Sequence, residues 1–287
     1  KKKNNKTKIV RFPESTMFFG NKKDNPFFKQ KRKIFNIHGD FFLFCSKNNS
    51  DLYFEGQNSN FFKKKILYTN QLRYESWWKK KFFSHKKKNK YFNILIALRS
   101  YNNDYFHKES YYKTLKDLSL LVRDLKNIKL IFKIHPQEID EKKLRKDLKI
   151  INKNFYSISK DHMISLSAKS DFCISILTSA CFDSIIMKIP TVEYYNVSKE
   201  INLSPKAREF MHLIYNKTQK KWSTIFEHNK VIKNISNYEE LLNEIKKAKL
   251  NKKEYKKNVN SNYKRLVKLS NFGRNTENIL KFLNKIN

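Results

Sequence analysis

The stretch KLIFKIHPQE at residues 129–138 decides how this chain is read. It begins as an apolar run of the kind that forms a buried strand, then delivers histidine and proline with no glycine and no turn cluster. A core strand that ends this way either stops for structural reasons or places His135 and Pro136 at a site. The surrounding sequence has to supply the neighbourhood that decides between the two.

Just upstream, NILIALRS (93–100) is an apolar run suited to a parallel strand covered on both faces. Tyr111, Leu115, Leu118, Val122 and Leu125 follow at spacings of four and three, which puts them on one helical face. After KLIFKI come a short charged helix around 142–149, a strand FYSIS, a helix in DHMISLSAKS, a strand FCISIL, a helix SACFDSIIMK and a strand PTVEYY. Strands and helices alternate through five strands. Connections this short force a parallel sheet with helices on both faces. KVIKNISNYEELLNEIKKA adds a short strand and a helix whose start reads as a capping box of Ser236 and Glu239. Val259, Tyr263, Leu266, Val267, Ile279, Leu280 and Leu283 mark two C-terminal helices separated near Gly273. Before residue 90, KIVRFPES, GDFFLFCSKNN and KKILYTNQLRYESWW each hold one strand-like run, and residues 84–90 read as a linker.

A chain of 287 residues with 39% apolar and 15% aromatic content can bury one large or two ordinary cores. It does not begin with methionine, KKKNNKTK has no apolar segment behind it, and the region before 90 is thin for a second α/β domain. The expectation is a chain with a truncated N-terminal half. No apolar run is long enough to span a membrane. Cys45, Cys173 and Cys181 show no metal spacing and suggest buried thiols in a reducing compartment. The net charge of +36 invites a nucleic-acid reading. The excess of Lys, Asn, Ile, Phe and Tyr, with only 4 Gly and 5 Pro, instead fits drift toward A- and T-rich codons, and the lysines are scattered. Attraction to an anionic membrane surface or substrate is what remains of the charge argument.

Ligands of open parallel sheets bind outside the carboxyl ends of the strands. That rule selects Arg99 and Ser100, His135 and Pro136, Thr178 and Ser179, and Glu193. No G-x-G-x-x-G and no P-loop occurs, so an anion would have to be held by Thr178, Ser179 and the start of the following helix. Each residue also has a plainer reading: Thr178 or Ser179 as a helix cap, His135 as a strand terminus, Asp183 as a carboxylate paired with Arg99. Their recurrence at successive strand ends favours a site.

KIHP, followed about forty residues on by LTSACFDSIIMKIPTVEYY, resembles the donor-binding half of GT-B-fold glycosyltransferases that build bacterial surface polysaccharides. The nearest patterns are capsule polysaccharide and sialyl- or Kdo-type transferases with an HP and a serine motif, and CDP-glycerol glycerophosphotransferases. In the last group an S-S-x-x-F-D segment ends in K-x-P, matched by Thr178, Ser179, Phe182, Asp183, Lys188 and Pro190. Arg73 stands in the place of a recurrent arginine. Two departures separate the chain from the commonest retaining sugar-nucleotide transferases: Ser175 occupies the position of the first glutamate of their E-x7-E arrangement, and Lys188 stands where they usually have glycine, which favours the phosphate-linked or cytidine-nucleotide branches.

The resemblance implies an α/β, GT-B-like fold, with a Rossmann-type parallel sheet flanked by helices. Residues 1–85 would be the remnant of an acceptor-side α/β domain, 86–250 the nucleotide-donor domain, and 251–287 helices packing back toward the N-terminal part. It implies a metal-independent transferase, in the cytoplasm or at the inner face of its membrane, with no cofactor. The donor would be a CMP-, CDP- or UDP-linked sugar or polyol, and the acceptor a glycan or lipid-linked glycan. His135 would donate a proton or hydrogen bond to the leaving phosphate, Thr178, Ser179 and Arg99 would bind it, and Asp183 would contact ribose or base. For the catalytic base only Glu14 and Asp40 offer themselves. Rival readings are a sugar-nucleotide 2-epimerase, for which the glycine-rich segment is missing, and a basic nucleic-acid- or membrane-surface-binding protein. For the latter only ESWWKKKFFSHKKK interleaves aromatic and basic residues, and no specific nucleic acid is expected.

Overall fold

The computed structural model describes residues 8–11, 25–27, 39–44, 47, 50–51, 54, 64–69, 74–83, 90–101, 105–134, 140–210, 212–269 and 275–286. Glu14, Cys45, Arg73, His135, Pro136 and most of the expected linker lie outside the described residues.

The three strand-like runs before residue 90 meet in one small sheet. Strands β1 (Val10–Arg11), β2 (Phe41–Phe44) and β3 (Ile66–Tyr68) lie side by side and parallel. Helix α1 (Ser76–Phe83) leads out of this region. The larger unit then runs β4 (Phe92–Ala97), α2 (Lys108–Asp124), β5 (Ile128–Lys133), α3 (Glu141–Asp147), β6 (Tyr156–Ser159), α4 (Met163–Ala168), β7 (Phe172–Ser175), α5 (Cys181–Ile186), β8 (Thr191–Tyr194) and α6 (Val197–Leu203). An antiparallel hairpin, β9 (Leu213–Asn216) with β10 (Lys221–Thr224), interrupts the alternation. It is followed by α7 (Ile225–His228), β11 (Lys233–Ile235), α8 (Tyr238–Leu250), α9 (Lys252–Leu269) and α10 (Asn275–Ile286).

The large sheet has the order β11-β8-β7-β4-β5-β6 and is parallel throughout. The chain starts in the middle at β4, builds outward to β6, then returns to β7 and builds the other way. Between β4 and β7 the winding reverses, and crossover connections diverge there to opposite faces, opening a crevice at the strand carboxyl ends.

Alternation along the central strands sorts their side chains between two cores. Ile94, Ile96, Phe172, Ile174 and Val192 face a cluster with α2 and α8, which contributes Leu115, Leu118, Leu121 and Ile245. Leu95, Ala97 and Cys173 face a second cluster with α4, α5 and Leu266 of α9. Full burial of each such aliphatic side chain contributes about 1.5–3 kcal/mol. The helical face expected from Tyr111, Leu115 and Leu118 is buried as spaced, with Leu125 serving as the helix C-cap. Cys173 and Cys181 are fully enclosed, and burial pushes the Cys173 thiol up to about 12.

Several local expectations need correction. β5, expected as a buried strand, is buried on one face only: its residues alternate between buried and half-buried because it lies next to edge strand β6. Lys133 therefore keeps its stem against the sheet and turns its Nζ to donate to the carbonyl of Ile134 at 2.6 Å. The cap of α8 is Asn237, not Ser236, its side chain accepting from Glu240 N at 2.9 Å. Leu280, expected on the buried stripe of α10, is 55% exposed, whereas Ile279 is buried. The C-terminal helices reach the first sheet. Phe282 meets Phe41 edge-on at 5.5 Å, Thr276 N donates to Glu75 Oε1 at 3.2 Å, and Lys8 Nζ donates to the carbonyl of Ile286.

Lys188, where the retaining sugar-nucleotide transferases usually carry glycine, has φ 56°. A left-handed backbone there explains the glycine preference, since a Cβ in this region costs about 1–2 kcal/mol. Lys188→Gly relieves that strain, against the entropy glycine adds to the unfolded chain and the loss of an ammonium 5.1 Å from the Tyr263 ring. A net rise in melting temperature of roughly 1–3 °C is expected in thermal denaturation. A fall would show that Lys188 is there for its side chain.

Candidate functional site

The crevice between the carboxyl ends of β4 and β7 is occupied by Arg99. Its Nη1 donates to the carbonyl of Leu177 at 2.8 Å, tying the two strand ends together. Its guanidinium lies over the rings of Tyr105 (5.3 Å) and Phe210 (5.8 Å), which themselves stack at 4.0 Å. Leu177 is fully buried with φ 52°, a left-handed conformation outside glycine. Such strain persists only where the surroundings over-determine it, and it concentrates at functional sites. Ser100, beside Arg99, is 6% exposed.

Thr178 and Ser179 follow at the half-buried mouth of the crevice. Ser175 Oγ donates to the Thr178 carbonyl at 3.0 Å, and Thr178 Oγ1 accepts from Ala180 N at 3.3 Å. The helix start expected to cradle an anion has its amides engaged already: Cys181, Phe182 and Asp183 donate to the carbonyls of Thr178, Ser179 and Ala180. Six residues of helix add little dipole. The hydroxyls of Thr178 and Ser179, rather than the helix start, are what this turn offers a ligand.

Asp183 is 2% exposed and enclosed between α5 and the sheet, where its charge helps raise the thiols of Cys173 and Cys181. So buried, its carboxylate has no surface open to a ribose or base as the side chain stands. Asp40 is placed away from the strand carboxyl ends. Its carboxylate accepts from Ile9 N at 2.9 Å at the amino end of β2, a backbone-fixing role that argues against a catalytic base.

Glu193 is opposite Ser175 in the β7–β8 register and 1% exposed. Burial pushes its carboxyl up to about 7, against opposing hydrogen bonds from Thr224 and Asn234. Its Oε1 has no hydrogen-bond partner. A carboxyl in this condition changes charge near neutrality.

His212, which no motif marked, is the group the sequence reading missed. It is 1% exposed, directly precedes β9, and lies between the rings of Phe210 (4.7 Å) and Phe226 (5.3 Å). Burial first, and then the charge of Arg99, push its pKa down to about 3. The available signal was a lone histidine inside the apolar run EFMHLIY. A second unforeseen contact comes from far away in the chain. Asn25, fully buried, donates from Nδ2 to the carbonyls of Arg208 at 2.8 Å and Phe210 at 3.3 Å, fixing the segment that stacks on Arg99.

No protein-family model matches this sequence, and no curated protein does. Solved structures do match. The wall teichoic acid polymerase TagF aligns with 86% of this chain at TM-score 0.53 and 14% identity. A TagF variant with CDPG gives the same coverage and TM-score at 15% identity, and another variant covers 91% at TM-score 0.52 and 12% identity. The chain spans little over half of the first of these, 57% of its length. With its parallel six-stranded sheet and helical flanks, the chain has a GT-B-like fold.

Proposed function

We propose that the chain is a glycosyltransferase of the GT-B type that takes a nucleotide-activated sugar as donor and extends a bacterial surface polysaccharide. The carrying observation is Arg99 at the reversal of the sheet winding, lying against the stacked rings of Tyr105 and Phe210 and bonded across to Leu177. The leaving nucleotide gains negative charge as the glycosidic bond to it breaks, and a preorganised guanidinium held in a low-dielectric crevice stabilises that charge. Thr178 and Ser179 supply neutral hydroxyl donors at the same mouth. His135 keeps the role its HP motif implies, delivering a proton or hydrogen bond to the leaving phosphate. The donor part of the chain, residues 86–250, would work against an acceptor held toward the N-terminal side, with a glycan or lipid-linked glycan as acceptor.

Work at a membrane face is part of the same proposal. Among the described residues no helix is long and apolar enough to cross a membrane. Helix α1 presents Trp77, 49% exposed, with Lys81 Nζ 5.5 Å from its ring and 5.4 Å from that of Trp78. Together with the +36 charge, this suits peripheral contact with anionic lipid.

A second reading, transfer of a polyol phosphate from a CDP-linked donor, is favoured by the fold likeness to TagF, one of whose structures carries CDPG. A thermal-shift titration with CMP, CDP, UDP and GDP separates the two, run on wild type, Arg99→Ala, Ser179→Ala and His135→Ala at moderate salt. A nucleotide at one hundred times its dissociation constant stabilises by about 2.7 kcal/mol. The expected result is stabilisation by one nucleotide, lost in Arg99→Ala. Equal responses to all four nucleotides, unchanged in the variants, would leave the strand-end residues structural.

A further inference from the structure

A buried neutral imidazole carries one N–H donor and one acceptor nitrogen, and a native core normally satisfies both. His212 satisfies neither: both ring nitrogens are buried and lack a hydrogen-bond partner. Among the described residues it is the one side chain with two such atoms. Each unmade hydrogen bond of this kind is destabilising, so a leucine of similar volume would serve the fold better at this position.

The surroundings of His212 also point away from simple packing. Phe210 touches both the imidazole and the Arg99 guanidinium. Arg99 is near enough for its charge to act on the ring. On the adjoining strand, Thr224, paired with Leu213 across the hairpin, hydrogen-bonds to Glu193, whose Oε1 is likewise buried and open. An open donor, an open acceptor and a carboxyl with a free oxygen thus gather near Arg99. A core that tolerates this much unmet hydrogen bonding is organised for something that enters it.

We propose that His212 is a ligand-contacting residue of the donor crevice, its neutral ring donating a hydrogen bond to a phosphate oxygen of the nucleotide drawn in by Arg99. This rests on the donor-site reading above and adds to it a residue outside every motif of the chain. Because the ring nitrogens are shielded from water, the contact forms only as the ligand displaces the aromatic cover of Phe210. A neutral donor also avoids the cost of placing a second cation beside Arg99.

The test pairs stability with affinity in the same variants. Wild type, Arg99→Ala, His212→Leu and His212→Asn are unfolded in urea and titrated calorimetrically with CDP and UDP. The expected result is that His212→Leu unfolds at higher urea than wild type yet binds the preferred nucleotide at least 10-fold more weakly. His212→Asn, which returns an N–H donor near the Nδ1 position, recovers part of the affinity. If His212→Leu binds as well as wild type while Arg99→Ala has lost binding, the crevice is the donor site and His212 is no part of it. If wild type binds neither nucleotide, nor CMP or GDP, the donor-site reading falls and this assignment falls with it. Lower urea stability in His212→Leu would also overturn the assignment, by showing that the ring is structural.

Discussion

The stability advantage of His212→Leu over wild type is expected to grow as the pH falls from about 6.5 to about 4.5, by on the order of 3 kcal/mol. The imidazole has its ordinary value near 6.5 in the unfolded chain and is pushed to about 3 in the fold by burial and by Arg99. Below 6.5 the unfolded state takes up a proton that the folded state refuses. Folding stability tied to this group is therefore fully present above 6.5 and is lost progressively toward 3. Leucine has no proton to take up, so the variant escapes the loss. Urea denaturation of both proteins at the two pH values measures the difference. An advantage that does not change with pH would mean that His212 is charged or hydrated in the native state.

Glu193→Gln is expected to show the opposite pH dependence, its advantage over wild type growing by on the order of 3 kcal/mol from about pH 4.5 to above pH 7. Here the folded value is raised, to about 7 from an ordinary 4.5, with burial as the main cause. Stability tied to this group is fully present below 4.5 and is lost as the pH rises through 7, because the unfolded chain ionises first. Glutamine stays neutral and can still accept from Thr224 and Asn234. Between about 4.5 and 6.5 the two dependences run in opposite directions, so in wild type they largely cancel. Each single variant should therefore slope where wild type is level, and the double variant should be level again. A Glu193→Gln protein that follows wild type across the range would place a charged carboxylate at this position.

Wherever periodicity carries information, the fold was open to reading. The strands at 92–97 and 172–175 are mostly apolar, and the helix at 108–124 has its stripe at regular spacing. The hairpin β9–β10 escaped because its turn carries no glycine signal: Lys220 takes the left-handed position at φ 48°, where Asn-Gly or Gly is usual. A chain with only 4 glycines hides its turns in lysine and asparagine. The rule of strand carboxyl ends led directly to Arg99 and to the Thr178–Ser179 turn. The family resemblance added Asp183, which is 2% exposed on α5, because a matched motif does not distinguish the wall of a crevice from the core beside it. His212 arrives on the segment that leads into β9, and its proximity to Arg99 depends on tertiary structure alone.

The Asn25 contact has a consequence for the order in which the molecule assembles. Its amide meets the carbonyls of Arg208 and Phe210 across sequence separations of 183 and 185 residues. Closing so long a loop is entropically costly and slow compared with the neighbouring strand–helix pairings. During synthesis the start of the chain must wait for residues 208–210 to emerge, and until they meet, the segment that stacks on Arg99 lacks its anchor. The sheet can be complete while the crevice is still loose. Binding competence should therefore appear as a late kinetic phase, after the secondary structure has formed.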